Sequence, residues 1–332
     1  MDSITQFVLG SAVAYAIGGK KLGKKALIFG GIAATIPDLD SLVIAPFNDD
    51  LAYLEHHRGF SHSLLFALTS PLWSFLTKPL FKHYSRKLIT KIFFWCFLTH
   101  SILDAFTMWG TQLLWPIPIR VAWNSIFIID LFYTLPLLIT VIWAGFSKLH
   151  IKRQKLITTG LILSSIYLSW TVAAKLYLQP KFETLFKNHR IPIERFSTRP
   201  TAFNSILWTA IAETKDGFYI AYVSLFDKKL ESPSLFIPKN QIIPKQFDTP
   251  YIKKLQHITN NYYITQITDT SVIVKDLRFG AQKIDKHSEP NFVFSYEVHQ
   301  TNSGKLQTKI QRSSTENSKK RVAYIWKRLK GI

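Results

Sequence analysis

The run IFIIDLFYTLPLLITVIWAGFS at residues 126–147, with LITTGLILSSIYLSWTVAAKLYL at residues 156–178, decides the class of this chain. Each is long enough to cross a bilayer as a helix, which takes about 20 apolar residues. Toward the N-terminus, residues 88–115 make another run of spanning length, although it contains His100 and Asp104. Residues 61–77 are shorter and include Pro71. Residues 26–45 are interrupted by Pro37-Asp38-Leu39-Asp40, and residues 4–19 are short and rich in small side chains. The pattern predicts an α-helical membrane domain of about six membrane segments over residues 1–180. The first two segments are short or broken enough to be half-helices, which lipid tolerates only where protein or water covers the interrupted backbone. Met1-Asp2 gives no positive leader and no small-residue cleavage site follows, so the start does not read as a signal peptide.

Composition agrees. With 47% hydrophobic residues in 332, the chain is not a disordered one. The net charge of +20 would suit nucleic acid, but its distribution points elsewhere. Lys20, Lys21, Lys24 and Lys25 follow the first segment. Lys78, Lys82, Arg86, Lys87 and Lys91 follow the third, and Lys148, Lys152, Arg153 and Lys155 the fifth. The intervening loops carry Asp49, Asp50, Glu55, Arg58 and Arg120. Cytoplasmic loops hold the Lys/Arg excess, so the odd loops are expected inside a bacterial inner membrane. Everything after residue 178 is then expected on the periplasmic side. The lone Cys96 excludes an intrachain disulfide framework.

Four acids lie within or at the ends of apolar runs: Asp38, Asp40, Asp104 and Asp130. An Asp at mid-bilayer costs about 3 kcal/mol on insertion scales, so such residues usually face a cavity and act there. The topology brings them, with His57, His62, His100 and Gln6, to the outer leaflet. His100 and Asp104 are one helical turn apart and share a face. Gly59 permits a tight turn between His57 and His62. Mixed His and Asp donors suit a divalent metal, zinc first, with manganese or iron as alternatives. Each residue also has a plainer reading: His100–Asp104 as a packing pair, Asp38 as a helix cap, Arg58 as a snorkelling cation.

These residues sit in motifs that resemble the YdjM-like inner-membrane metal-dependent hydrolase family. The matching pieces are Met1-Asp2-Ser3-Ile4-Thr5-Gln6, Ile36-Pro37-Asp38-Leu39-Asp40 and His57-Arg58-Gly59-Phe60-Ser61-His62-Ser63. They continue with His100-Ser101-Ile102-Leu103-Asp104 and Ile128-Ile129-Asp130. The resemblance covers residues 1–180 and extends more loosely to residues 199–208 and 276–280. It implies Asp38, Asp40, His57, His62, His100 and Asp104 as the metal or catalytic set. Within that set the residues themselves favour Asp38, Asp40, His62, His100 and Asp104 as metal ligands and His57 as a ligand or general acid/base; Arg58 suits a substrate phosphate as a catalytic group, and Gln6 and Asp130 are expected behind the ligands.

After residue 178 the pattern changes. Residues 208–213, 217–226, 262–266, 271–277 and 292–299 read as strands, rich in Val, Ile, Tyr, Phe and Thr. Lys215-Asp216-Gly217 is a hairpin signal. Residues 181–332 are therefore expected to form a small β-rich soluble domain, mostly antiparallel, carrying no catalysis. His257, His287 and His299 make no metal-like cluster there. The polar run 307–320 reads as flexible. Residues 321–330 read as a basic amphipathic helix that either lies on an anionic membrane surface or packs on the domain.

Two functions compete at this level. One is a membrane-embedded metal-dependent hydrolase acting on a lipid or lipid-linked phosphoester at the outer leaflet, with membrane lipids and not nucleic acid as partners. The other is a non-enzymatic envelope assembly or stress factor whose polar cluster stabilises helix packing. A proton- or ion-coupled transporter ranks lower, because no polar line crosses to the cytoplasmic side.

Overall fold

The computed structural model describes residues 1–47, 49–231, 233–282, 290–301, 303–313 and 315–331. They divide into two compact units. The first comprises residues 1–43, 56–173 and 203–205, and the second residues 44–55, 174–202 and 206–332.

The first unit is helical. Asp2 caps α1 (Ser3–Leu22) by accepting from the Thr5 amide at 3.0 Å. α1 packs on α2 (Lys25–Thr35) through facing small residues. A Cβ on Gly30 would collide with the Gly10 carbonyl and Ala14, and one on Gly10 with Gly30 and Ala34. Such small-residue contacts let helix backbones approach closely where lipid supplies no hydrophobic drive. At Pro37 the helix tightens to a 3₁₀ turn (Ile36–Leu39) and resumes as α3 (Asp40–Ile44). α4 (Asp50–His56) lies almost wholly in the second unit. A 3₁₀ turn (Phe60–His62) then leads to α5 (Leu64–Leu68) and α6 (Ser70–Leu76). α7 (Arg86–Ala105), α8 (Leu131–Phe146) and, up to residue 173, α9 (His150–Asn188) complete the helical region; the rest of α9 belongs to the second unit. Its core gathers Tyr15, Ile89, Ile92, Phe93, Phe97 and Leu137.

Among the described residues, three helical stretches are long and apolar enough to cross a membrane: Lys25–Ile44, Arg86–Ala105 and His150–Asn188; Leu131–Phe146 is apolar but shorter. The other expected segments differ for local reasons. Residues 4–19 form an unbroken helix, not a half-helix, but Lys20, Lys21 and many small residues dilute its hydropathy. Residues 61–77 divide at Thr69, between a helix capped by Ser63 and one that opens on Pro71. The run from 88 stops at Ala105, after which the chain is irregular to Asp130. α8 and α9 leave Phe132, Ile139, Trp143, Ile162, Ile166 and Trp170 exposed, an apolar surface suited to acyl chains.

The second unit carries two antiparallel four-stranded sheets. The first orders β1 (Arg195–Pro200), β2 (Leu207–Glu213), β3 (Gly217–Ser224) and β4 (Leu235–Pro238) in sequence. The second does the same with β5 (Tyr263–Ile267), β6 (Ser271–Gln282), β7 (Asn291–Gln300) and β8 (Leu306–Arg312). The Lys215-Asp216 turn joins β2 to β3 as the sequence predicts, and the Thr214 amide donates to the Gly217 carbonyl at 2.8 Å. Trp208, Ile211, Phe218 and Ile220 are fully buried. α10 (Pro250–Ile258) and α11 (Thr315–Leu329) flank the sheets. The run 307–320 corrects an expectation: instead of a flexible stretch it supplies β8 and the start of α11. His287 lies outside the described residues.

Residues 44–55 belong to this unit although they follow directly on Val43 of the helical unit. Asp49 accepts from the Thr308 amide at 3.1 Å and from the Tyr251 hydroxyl at 2.7 Å. Asp50 accepts from the Ile310 amide at 2.7 Å. β8 is an edge strand, and these two carboxylates satisfy donors that no further strand takes up. Lys254 pairs with Glu55 at 2.7 Å.

Candidate metal centre

Four side chains from three parts of the helical unit converge. Asp38 comes from the 3₁₀ turn after α2, His62 from the turn before α5, and His100 and Asp104 from consecutive turns of α7. One donor atom from each lies within 4.8 Å of all the others. His62 Nε2 is 3.0 Å from His100 Nε2, 3.2 Å from Asp38 Oδ1 and 3.5 Å from Asp104 Oδ2. His100 Nε2 stands 3.5 Å from Asp38 Oδ1 and 4.0 Å from Asp104 Oδ2. Ligands of a tetrahedral zinc, each at ~2.1 Å, are about 3.4 Å apart, so the spacings match a shared cation.

The hydrogen bonds behind the cluster fix which ring nitrogens face it. His100 Nδ1 lies 2.7 Å from the Ala34 carbonyl, which can only accept, so Nδ1 carries the proton. Ser61 Oγ donates to Asp40 Oδ2 at 2.7 Å and therefore accepts from His62 Nδ1 at 2.9 Å. In the neutral rings both Nε2 atoms then present lone pairs to one point. This is the arrangement that metal-bound histidines adopt, with the second nitrogen anchored to a carbonyl or, through a relay, to a carboxylate.

Charge is managed around Asp104. Its Oδ1 meets the N-terminal ammonium of Met1 and accepts from Gln6 Nε2 at 3.1 Å. Arg58 Nε lies 3.1 Å from Oδ2, off the line of a hydrogen bond, while Nη1 donates to Thr107 Oγ1 at 3.0 Å. Arg58 takes φ +63°, a left-handed conformation unusual outside glycine. That turn aims its side chain at Asp104 and its amide at Asp40 Oδ2, 3.3 Å away. Two buried oxygens, Asp104 Oδ2 and Gln6 Oε1, accept no hydrogen bond. A buried acceptor left without a donor is costly, and a cation nearby offsets that cost. The donor set of two imidazoles and two carboxylates fits zinc, manganese or iron.

The remaining expected site residues fall around this group. Asp40 stands behind His62, 3.7 Å from its Nδ1, and accepts from Ser61. His57 Nδ1 meets Asp40 Oδ1 at 2.8 Å and is 20% exposed, whereas His62 and His100 are fully buried. Gln6 contacts Asp104 and the His100 carbonyl. Asp130 is engaged elsewhere. It caps α8 by accepting from the Phe132 and Tyr133 amides, and the Tyr167 hydroxyl donates to it at 2.9 Å. The sequence reading assigned no role to Ser61, Thr107 or the Ala34 carbonyl. Ser61 was detectable in principle, since it lies inside the His57–His62 motif. The carbonyl carries no side-chain signal at all.

Comparison with known proteins adds to this geometry. A family model described as "YdjM inner membrane protein" matches residues 1–178. The Escherichia coli (strain K12) protein described as "Inner membrane protein YbcI" is 34% identical over 122 residues. That match covers 34% of this chain and 66% of the relative's length. No solved structure matches the chain.

Proposed function

Because the chain belongs to the YdjM inner membrane protein family, we propose that Asp38, His62, His100 and Asp104 hold a divalent cation and make it a metal-dependent hydrolase. The observation that carries this reading is the pair of Nε2 atoms, 3.0 Å apart and each left bare by a donor-fixed Nδ1. A cation bound there would lower the pKa of a coordinated water toward ~7 and polarise a phosphoryl or acyl oxygen. The protein's own groups do the rest. The Ala34 carbonyl and the Ser61–Asp40 relay hold the two imidazoles in register. Asp40 also orients His57, the more open imidazole, as the group that takes or returns a proton at Nε2. Arg58 balances Asp104; with Asp104 and Thr107 already engaging its guanidinium, it is not the first choice for a substrate phosphate.

The substrate proposed is a lipid or lipid-linked phosphoester at the outer leaflet. Support comes from the basic-loop pattern of the sequence, which favours the periplasmic side for the second unit. It comes also from the partial exposure of Asp38 and His57 beside fully buried partners. The test is elemental analysis of the detergent-purified chain beside His62→Ala and His100→Ala. About one equivalent of zinc, manganese or iron is expected in the wild type and a loss in each variant. Phosphate release from phospholipids and polyprenyl phosphates should disappear with the metal. A metal-free wild type, or hydrolysis that survives chelation and both substitutions, would sink the reading.

The second reading also has an observation behind it. One proton between the two Nε2 atoms would close a hydrogen-bonded network without any metal. The protein would then be a non-enzymatic envelope factor stabilised by that network. Metal content separates the two.

A further inference from the structure

The C-terminal helix α11 presents two distinct faces. Its inward face is fixed to the sheet. Ile325 is buried, and the Tyr324 ring meets Tyr222 edge-on at 5.7 Å. Arg328 forks onto both oxygens of Asp227 at 2.6 Å, and the Leu329 carbonyl accepts from Ser224 Oγ at 2.8 Å. The outward face carries Lys319, Lys320, Ala323, Trp326, Lys327 and Lys330, all exposed. Residues 319, 323 and 326 recur at helical spacing and so form one stripe, with Lys330 following the last helical residue. The Trp326 indole is 62% exposed within it. The turn after β3, clamped by Arg328 through Asp227, adds Phe226, 58% exposed, with Lys228 and Lys229.

An exposed indole ringed by lysines is an unfavourable surface to leave in water and a good one for a lipid headgroup layer. Indoles settle at the membrane–water interface, and lysines meet lipid phosphates while their stems lie along apolar surface. The charge and the aromatic are complementary to an anionic bilayer in both respects. Three of the chain's own helical stretches are long and apolar enough to cross a bilayer. We propose that the outward stripe of α11 is a docking surface for anionic phospholipid headgroups. This surface is separate from the metal centre and does not depend on its chemistry.

The test uses the full-length chain in nanodiscs, with Ala323→Cys labelled by a solvatochromic dye. The native Cys96 is fully buried and does not compete for label. In phosphatidylcholine discs the label should report water. In discs containing phosphatidylglycerol its emission should shift to the blue and become quenchable by spin-labelled lipid, and added salt should reverse both. Each of Lys319→Gln, Lys320→Gln, Lys327→Gln and Lys330→Gln should lower the docked-to-undocked ratio roughly fivefold. Trp326→Ser should reduce the blue shift while leaving the salt dependence. A control replaces four exposed lysines on other elements, Lys215, Lys245, Lys305 and Lys309, with Gln and should retain docking. Identical emission in the two disc types would overturn the proposal, as would equal loss in the control. The second result would assign the effect to bulk charge or to misfolding.

Discussion

Ser61 has one hydroxyl proton and gives it to Asp40, which decides the proton position on His62. Removing that hydroxyl leaves the ring free to flip or to place its proton on Nε2, where a metal must bind. Ser61→Ala should therefore weaken metal affinity about 10- to 100-fold, the usual range when a ligand's supporting partner is lost. Competition against a fluorescent chelator would read this, and unchanged affinity would remove Ser61 and Asp40 from the relay. A second residue-scale effect lies in the sheet domain. Burial pushes the Glu213 carboxyl up, but hydrogen bonds from Lys239 and Arg195, at 2.7 and 2.6 Å, outweigh it and hold the group below its ordinary value. A carboxyl with a depressed folded pKa adds stability above its unfolded pKa and loses it as pH falls through the folded one. Thermal melts of the full chain should thus show wild type losing stability below about pH 4.5, with Glu213→Gln less stable at neutral pH and flatter across that range. Parallel curves for the two proteins would refute the linkage. The cluster itself was legible because ionisable residues in apolar runs are costly and so draw attention as a group. Individual roles were less so. Asp40 and Asp38 differ by two positions, and only the turn at Pro37 settles which one faces the Nε2 atoms of His62 and His100. Asp130 shares its setting in the sequence, yet its carboxylate is spent on a helix cap and a tyrosine.

At the scale of elements, the α1–α2 crossing governs more than packing. The end of α2 supplies the Ala34 carbonyl that orients His100, and the crossing beneath it depends on Gly10 and Gly30. Gly30→Leu has to push the helices apart, at a cost of ~1–3 kcal/mol for an overpacked contact. The expected outcome is a lower unfolding midpoint in detergent together with reduced metal retention; a variant as stable as wild type would show that the crossing tolerates bulk. Strands β2, β3, β5 and β7 were readable because β-branched and aromatic residues dominate them. β8 was not: LQTKIQR is mostly polar, as suits an edge strand that must discourage pairing with other chains. Residues 61–77 read as one shorter run with Pro71 inside it, and the structure divides that run at Thr69, where the helix capped by Ser63 gives way to one that opens on Pro71.

For the molecule as a whole, composition alone separates a helical half from a β-rich half. It does not reveal that the boundary is crossed more than once. Residues 44–55 read as a loop between membrane segments, since their few acids carry no strand or helix signature. Their attachment to β8 depends on backbone amides contributed from residues 308 and 310, more than 250 positions away. The consequence is practical. No single scissor point divides this polypeptide into its two halves. A fragment ending at residue 173 would keep Asp49 and Asp50 but strip them of their donors. A fragment beginning at residue 174 would expose bare amides along β8 and invite fibrous self-pairing. Dissection would call for two cuts and a graft, with the excised dodecapeptide returned to the piece it braces.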